Sequence, residues 1–153
     1  MVRLTMDEPC PQCGAPSLGA PGACRRRFDE LLALDHSRQE PWGSRHGLVF
    51  AAYALQHPAD FPRGVLERSW LALTRIYVRG EPPARVFGAL RSHPPNSASE
   101  WGVPPLPGVP SPHAPPQRTI ADLAPAEREG YGERVDSWCR SALRWWGAAV
   151  PEA

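Results

Sequence analysis

The stretch Pro9-Cys10-Pro11-Gln12-Cys13-Gly14 decides how this chain is organised. Two cysteines separated by two residues can direct both sulfurs at one ion, and structural zinc sites most often use this spacing for two of their four tetrahedral ligands. The proline between them holds the φ angle of the turn, and the glycine can adopt the positive φ that leaves a backbone N–H pointing at a thiolate. The pattern predicts a zinc knuckle that needs two further ligands.

The cysteine pair has two other interpretations. A redox dithiol usually lies at the N-terminus of a helix within a βαβ unit, and no such pattern surrounds residues 10–13. The thiols could also be unpaired in a flexible N-terminal segment. However, four cysteines without a secretory signal favour a reducing cytoplasm, where thiols bind metal instead of forming disulfides. We therefore expect a cytoplasmic protein with zinc as its cofactor.

Composition excludes several classes of protein. The 153 residues suffice for one domain with one core, and the longest apolar run, residues 48–55, is too short for a bilayer span of about 20 residues. The chain has 17 arginines and no lysine against 16 acids. Its net charge of +1 gives no overall attraction for nucleic acid. We expect a soluble protein without membrane contact.

Two helical segments follow the knuckle. The first predicted helix spans residues 24–38 and has apolar side chains at helical spacing. The second spans residues 45–56 and stops before His57-Pro58, because a residue that precedes proline is disfavoured in the α region. Residues 39–43 form a tight connection, with Ser44 as the N-cap of the second helix. So short a connection predicts an antiparallel hairpin.

The hairpin geometry predicts the two missing ligands. Each helix is about 20 Å long at 1.5 Å per residue, so Cys24 at the start of the first lies beside His57 at the end of the second. His46 lies at the opposite end, about 16 Å from His57, and cannot share one ion with it. We predict a tetrahedral site of Cys10, Cys13, Cys24 and His57. The alternative is that His57 only caps its helix and that Cys24 packs as a small hydrophobe.

The rest of the chain predicts further helices and one extended segment. A third helix covers residues 64–78 with a core-facing stripe, and a short amphipathic helix covers residues 83–90. Residues 93–117 contain nine prolines and two glycines, which exclude helix and sheet interior. We predict an extended strap over the helices, with a polyproline II ligand as the alternative. A turn capped by Thr119 and a final helix over residues 125–146, with an aromatic buried face, complete the chain.

These elements predict one all-α domain over residues 1–153, a bundle of four or five helices. On the last helix, Cys139 is expected to be a buried thiol; a role as ligand or nucleophile is the alternative, but no histidine lies within a helical turn of it. The predicted segments are the zinc knuckle (1–23), the hairpin with the third and the short helix (24–92), the proline-rich strap (93–118) and the C-terminal helical segment (119–148).

The motifs together resemble a known family. They are similar to those of the bacterial domain-of-unknown-function family 5946, which comprises small and mainly helical proteins. The resemblance covers most of the chain and implies no activity, because none is established for the family. Its pattern often has an acidic residue where this chain has Ala51, a departure that argues against catalysis at the His46 face. The matching residues are Cys10-Pro11-Gln12-Cys13-Gly14, Cys24, His46, Tyr53, Gln56-His57-Pro58 and Thr119-Ile120-Ala121-Asp122.

Three hypotheses of function follow. The first is a non-catalytic, zinc-stabilised protein that binds a protein partner through its aromatic or proline-rich surface. The second is a metal-dependent or acid/base enzyme that uses His46 and Tyr53, with Asp35 or His36 near the hairpin turn, although four protein ligands leave zinc no open position. The third is nucleic-acid binding through the knuckle and Arg25–Arg27. We favour the first, because the sequence contains neither a complete catalytic constellation nor a second basic cluster.

Overall fold

The computed structural model describes residues 8–16, 18–95, 98–123 and 127–152. Within these ranges the chain forms five α-helices and no strand, which confirms the predicted all-α fold. Short 3₁₀ turns connect several of the helices. No helix among the described residues has both the length and the apolar character of a membrane span. The helices are α1 (Ala23–His36), α2 (His46–Gln56), α3 (Arg63–Tyr77), α4 (Pro83–Ser92) and α5 (Tyr131–Trp145).

Helix α2 is the central element of the fold. From Leu48 to Gln56 every residue except Phe50 is buried, so α2 is enclosed on all sides instead of being amphipathic. It packs against α1, α3 and α5. The outer helices turn apolar stripes towards it, and the side chains of Trp70 on α3 and Trp138 on α5 are both buried. The apolar run of residues 48–55 therefore belongs to the central helix of the bundle.

The α1–α2 hairpin is as short as predicted, but its ends differ in detail. Helix α1 ends at His36, before the predicted end, because Arg38 has a left-handed φ of 58° that no α-helix accommodates. Ser44 does not cap α2: its hydroxyl donates a hydrogen bond to Glu40, and Arg45 occupies the N-cap position without a side-chain cap. The prediction of Ser44 as the cap was therefore wrong.

The last helix begins later than predicted. Helix α5 starts at Tyr131, and residues 127–130 are not helical. Gly130 has a φ of 70°, a conformation that interrupts a right-handed helix and favours glycine. Pro125, the predicted start, lies outside the described residues. Gly130 therefore marks the start of α5, and the prediction from the sequence did not take this glycine into account.

The proline-rich strap is extended and packed over the helices in its described part. The indole of Trp70 on α3 donates a hydrogen bond to the carbonyl of Pro104 (2.8 Å), and the indole of Trp145 on α5 donates to the carbonyl of Ala114 (2.8 Å). Val103, a residue of the strap, is itself buried. Prolines have no N–H, so a strap of this composition offers mainly acceptors, and tryptophan side chains supply the matching donors. This arrangement agrees with the strap interpretation.

Candidate metal centre

The knuckle is a closed turn in which glycine is required. The N–H of Gly14 donates to the carbonyl of Cys10 (2.9 Å), and the N–H of Cys10 donates to the carbonyl of Ala15 (3.0 Å). Gly14 has a φ of 73°, as expected from the sequence. A Cβ at this position would also lie 2.6 Å from the Cβ of Pro115, so the strap approaches the knuckle too closely for any side chain.

Four potential ligands converge from three parts of the chain. Cys10 and Cys13 come from the knuckle, Cys24 from the first turn of α1, and His57 from the residue that follows α2. All four are buried, and their ligand atoms lie within 4.8 Å of one another. The antiparallel hairpin thus places the start of α1 beside the end of α2, while His46 lies at the other end of α2.

The spacing of these atoms fits one metal ion. Metal–sulfur bonds of about 2.3 Å and metal–nitrogen bonds of about 2.0 Å give a tetrahedron with edges of roughly 3.5–3.8 Å. Sγ of Cys13 lies 3.9 Å from Sγ of Cys24, and Sγ of Cys10 lies 3.8 Å from Nε2 of His57. A disulfide would need sulfurs about 2 Å apart. This buried Cys3His cluster can therefore hold a metal ion.

The backbone orients His57 for ligation through Nε2. Its Nδ1 lies 3.0 Å from the carbonyl oxygen of Tyr53, and because a carbonyl only accepts, Nδ1 carries the proton. The Nε2 lone pair is then directed at the cysteines. The ring of Tyr53 stacks on His57 at 4.1 Å and on Phe28 at 4.0 Å, so the imidazole is fixed in its plane as well.

The cluster is strongly coupled electrostatically. Hydrogen bonds from Cys13 and Cys24 hold the pKa of Cys10 far below its ordinary range, and hydrogen bonds to Cys10 and Cys13 raise the pKa of Cys24. Burial by itself would lower the pKa of His57, but its hydrogen bonds to Cys10 and Cys13 raise that pKa to about 9. Cys10, Cys24 and His57 thus influence one another's protonation, and a bound divalent ion would displace protons from such a site.

A side-chain clamp joins the knuckle to the residues after His57. Gln12 lies between the two knuckle cysteines; its Nε2 donates to Asp60 (3.2 Å), and its Oε1 accepts from the N–H of Ala59 (3.1 Å). This role of Gln12 could not be derived from the sequence, because its partners are more than 40 residues away in the chain. The clamp fixes the knuckle against the same segment that provides the histidine.

The arginines beside Cys24 do not form a free cationic patch. Arg25 contacts Asp29 at 3.0 Å, and Arg27 lies 3.8 Å from Glu30. Arg26 donates to a backbone carbonyl. Two of the three charges are therefore balanced within α1, which leaves little charge for the phosphate contacts that the nucleic-acid hypothesis requires.

The two residues of the enzyme hypothesis lie in different surroundings. Tyr53 is buried beside His57, and burial raises the pKa of its hydroxyl, so it is part of the packing around the Cys3His cluster. His46 is half-exposed on the first turn of α2. Cys139 is not part of the cluster either: its Sγ lies 3.6 Å from the carbonyl of Leu48, and burial raises its pKa to about 12. It is a buried thiol, as the sequence predicted.

A second group of polar residues lies at the hairpin turn. The side chain of Asp35 is fully buried, its Oδ2 lies 3.4 Å from Nδ1 of His46, and the ring of His36 lies 5.2 Å from that of His46. Neither carboxylate oxygen of Asp35 has a hydrogen-bond partner among the described residues. Burial raises the pKa of Asp35 to about 6, although the charges of His46 and His36 oppose this shift. The signal in the sequence was an acid in the apolar stripe of α1.

We expect Asp35→Asn to remove a destabilising contribution to the free energy of unfolding that increases as the pH rises. Folded Asp35 binds its proton more tightly than unfolded Asp35, whose pKa is 3.8, so the stability of the wild type falls as pH rises through about 4 to 6. Relative to wild type, the variant should gain about 1 kcal/mol of unfolding free energy between pH 5 and pH 8. Urea denaturation at both pH values measures this gain.

Asp29→Asn is the matched control for Asp35→Asn, because Asp29 is on the same helix but exposed. The charged groups that face Asp35 are His36 and His46, and the hydroxyl of Tyr131 also feels its charge. A variant that lost stability at pH 8 relative to pH 5 would show that ionised Asp35 stabilises the fold, contrary to this prediction.

The fold and the site together define an all-α protein with a buried Cys3His cluster able to hold a metal ion. The chain belongs to the family of unknown function DUF5946, whose family model matches residues 8–147. This confirms the resemblance noted in the sequence. No curated protein and no solved structure gives a significant match. Any function must therefore follow from the geometry of the molecule itself.

Proposed function

We propose that this protein is a zinc-stabilised helical protein of the cytoplasm in which the metal has a structural role. The observation that supports it is the convergence of Cys10, Cys13, Cys24 and His57, all buried, within 4.8 Å. Three sulfurs and one imidazole are a donor set typical of tetrahedral structural zinc, whereas carboxylate-rich sets favour magnesium or calcium. A reducing compartment would keep these thiols available for the metal.

The proposed site is closed to substrates. Four protein ligands complete a tetrahedron, and a catalytic zinc needs a position for water or substrate. The ligands are also buried, which limits the access of solvent to the metal. In this proposal zinc joins the knuckle to the α1–α2 hairpin, and the protein acts by binding a protein partner.

The surface next to the knuckle supports the partner-binding part of the proposal. The knuckle and the strap border a shallow cavity of about 280 Å³, with Pro11 on one side and Val109 and Trp145 on the other. Val109 is 65% exposed, which is unusual for a large apolar side chain of this protein. Because zinc would hold the knuckle in place, the metal would also shape this surface. Exposed apolar groups beside prolines are common at protein interfaces.

Elemental analysis of the purified protein tests the metal assignment. We expect close to one zinc per chain in the wild type and less than half of that in Cys24→Ser and in His57→Ala, because each variant removes one of the four ligands. Inductively coupled plasma mass spectrometry measures the content. Cobalt substitution would add the visible bands of a tetrahedral thiolate site.

Cys139→Ser and His46→Ala are the matched controls, because each removes a cysteine or a histidine outside the cluster. Both should keep the zinc content of the wild type. Loss of zinc in His46→Ala, or wild-type protein that stays metal-free after incubation with zinc, would show that the assignment is wrong. Iron in place of zinc would preserve the site but overturn the identity of the metal.

A further inference from the structure

A cavity with an apolar lining lies along α2, at the end opposite to the Cys3His cluster. It is a groove of about 700 Å³ between α2, α3 and α4, which we call the α2–α4 groove. Ligand pockets of proteins commonly have volumes of about 300–1,000 Å³. The floor is apolar and comprises Phe50, Val65, Phe87 and Leu90, with small residues between them. The groove therefore has the size and lining of a small-molecule site.

The borders of the groove carry one sign of charge. His46, Arg68 and Arg91 line it, and no acidic residue lines it among the described residues. Neither arginine has an ion-pair partner in the described part of the chain; Arg68 donates only to the carbonyl of Gly64. Elsewhere in the molecule many arginines do pair with acids. Two unpaired guanidinium groups at an apolar groove are complementary to an anion with an apolar body.

Both arginines lie on helices that border the groove. Gly47 near the start of α2 faces Phe87 of α4 so closely that a Cβ on Gly47 would lie 2.8 Å from the Phe87 ring. Arg91 lies four residues beyond Phe87, about 6 Å further along α4. Arg68 lies on α3 and also lines the groove, with its guanidinium directed back along its own helix towards Gly64. Either guanidinium group can therefore meet an anionic group of a ligand in the groove.

His46 adds a polar group at the border of the groove. Because its Nδ1 faces Asp35, its Nε2 is the nitrogen left for a ligand in the groove. Asp35 is buried and has no hydrogen bond among the described residues, so the protein retains an unfavourable carboxylate at this position. Buried acids that orient a histidine at the edge of a cavity are typical of functional sites.

We infer that the α2–α4 groove binds a small organic acid with an apolar body. Arg68 or Arg91 binds its carboxylate, and the apolar floor buries its chain or ring. His46, oriented by Asp35, donates or accepts a hydrogen bond at a second polar atom of the ligand. This is a second site, independent of the metal centre, and it goes beyond the proposed structural role of zinc.

Octanoate is a suitable probe, because it combines a carboxylate with a chain that fits an apolar floor. We expect it to bind with a Kd on the order of 1 mM or lower, and to shift the backbone amide signals of Gly47, Ala72 and Ala84 in ¹⁵N-correlated NMR spectra. 1-Octanol and octylamine should bind at least about fivefold more weakly, because they lack the carboxylate.

Variants distinguish the contribution of the arginines from that of the apolar groove. Arg68→Ala together with Arg91→Ala should weaken octanoate binding about tenfold, and Ala84→Trp should abolish it by filling the groove. Arg85→Ala is the control: it removes an exposed arginine of α4 that does not line the groove. Because these positions are distant from the Cys3His cluster, all variants should keep the zinc content of the wild type.

Three results would overturn the inference. The first is equal binding of octanoate and octanol, which would leave only an apolar surface. The second is a set of shifted amides outside the groove. The third is a self-associated protein whose dimer interface covers the groove, detected by sedimentation equilibrium. None of these results would affect the zinc assignment, so the two proposals fail independently.

Discussion

Chelation is expected to abolish the cooperative thermal transition of this protein, or to lower its midpoint by at least about 10 °C. Apparent binding free energies of structural zinc reach about 10 kcal/mol in small modules, whereas whole domains are stable by only about 5–15 kcal/mol. The knuckle has no regular secondary structure and depends on the cluster, the Gln12 clamp and a few backbone hydrogen bonds. Differential scanning calorimetry with and without EDTA measures the effect.

The control for chelation is a variant that has already lost the site. Cys24→Ser should melt at the temperature of the EDTA-treated wild type and should not respond to EDTA, while Cys139→Ser should respond as the wild type does. Addition of zinc in excess over the chelator should restore the wild-type transition. A wild-type transition unchanged by complete metal removal would contradict a structural role, even if the metal were bound.

The convergence of the Cys3His cluster could be derived from the sequence because it depends on local rules. A Cys-x-x-Cys turn places two cysteines together, His57-Pro58 fixes the end of a helix, and a short connection fixes the direction of the hairpin. Those three rules are sufficient to bring Cys24 beside His57. The bounds of α3 also followed from local patterning: this helix was predicted over residues 64–78 and lies at Arg63–Tyr77.

The features that the sequence did not yield depend on contacts between distant segments. Asp35 could be recognised as an acid in an apolar stripe, but the partner that its carboxylate meets across the hairpin could not be derived from periodicity. The α2–α4 groove needs the packing of three helices, and the unpaired state of Arg68 needs the positions of all acids around it. Gly130 precedes the first residue of α5 and could have been recognised from the sequence as the start of the helix. The aromatic residues at helical spacing suggested an earlier start instead.

Trp138 is the residue for which we expect the largest effect of a single core substitution. It is completely buried, and its indole N–H donates to Oε1 of Gln56 (2.9 Å), which is also completely buried. Nε2 of Gln56 donates in turn to the carbonyl of Arg118 (2.8 Å), so one amide joins α2, α5 and the end of the strap. Such a network is expensive to break, because each freed group stays buried.

We therefore expect Trp138→Ala to cost about 5 kcal/mol of unfolding free energy, from the cavity and from the unpaired oxygen of Gln56, and Trp138→Phe to cost about 2–3 kcal/mol. Trp145→Phe, on the partly exposed face of the same helix, should cost about 1 kcal/mol and serves as the control. Urea denaturation in the presence of zinc gives these values. A double-mutant cycle of Trp138→Phe with Gln56→Ala should show a coupling of about 1 kcal/mol. If the costs of the two substitutions in unfolding free energy were additive, the hydrogen bonds of Gln56 would contribute no coupling between the three segments. The stability of the core would then depend on packing alone.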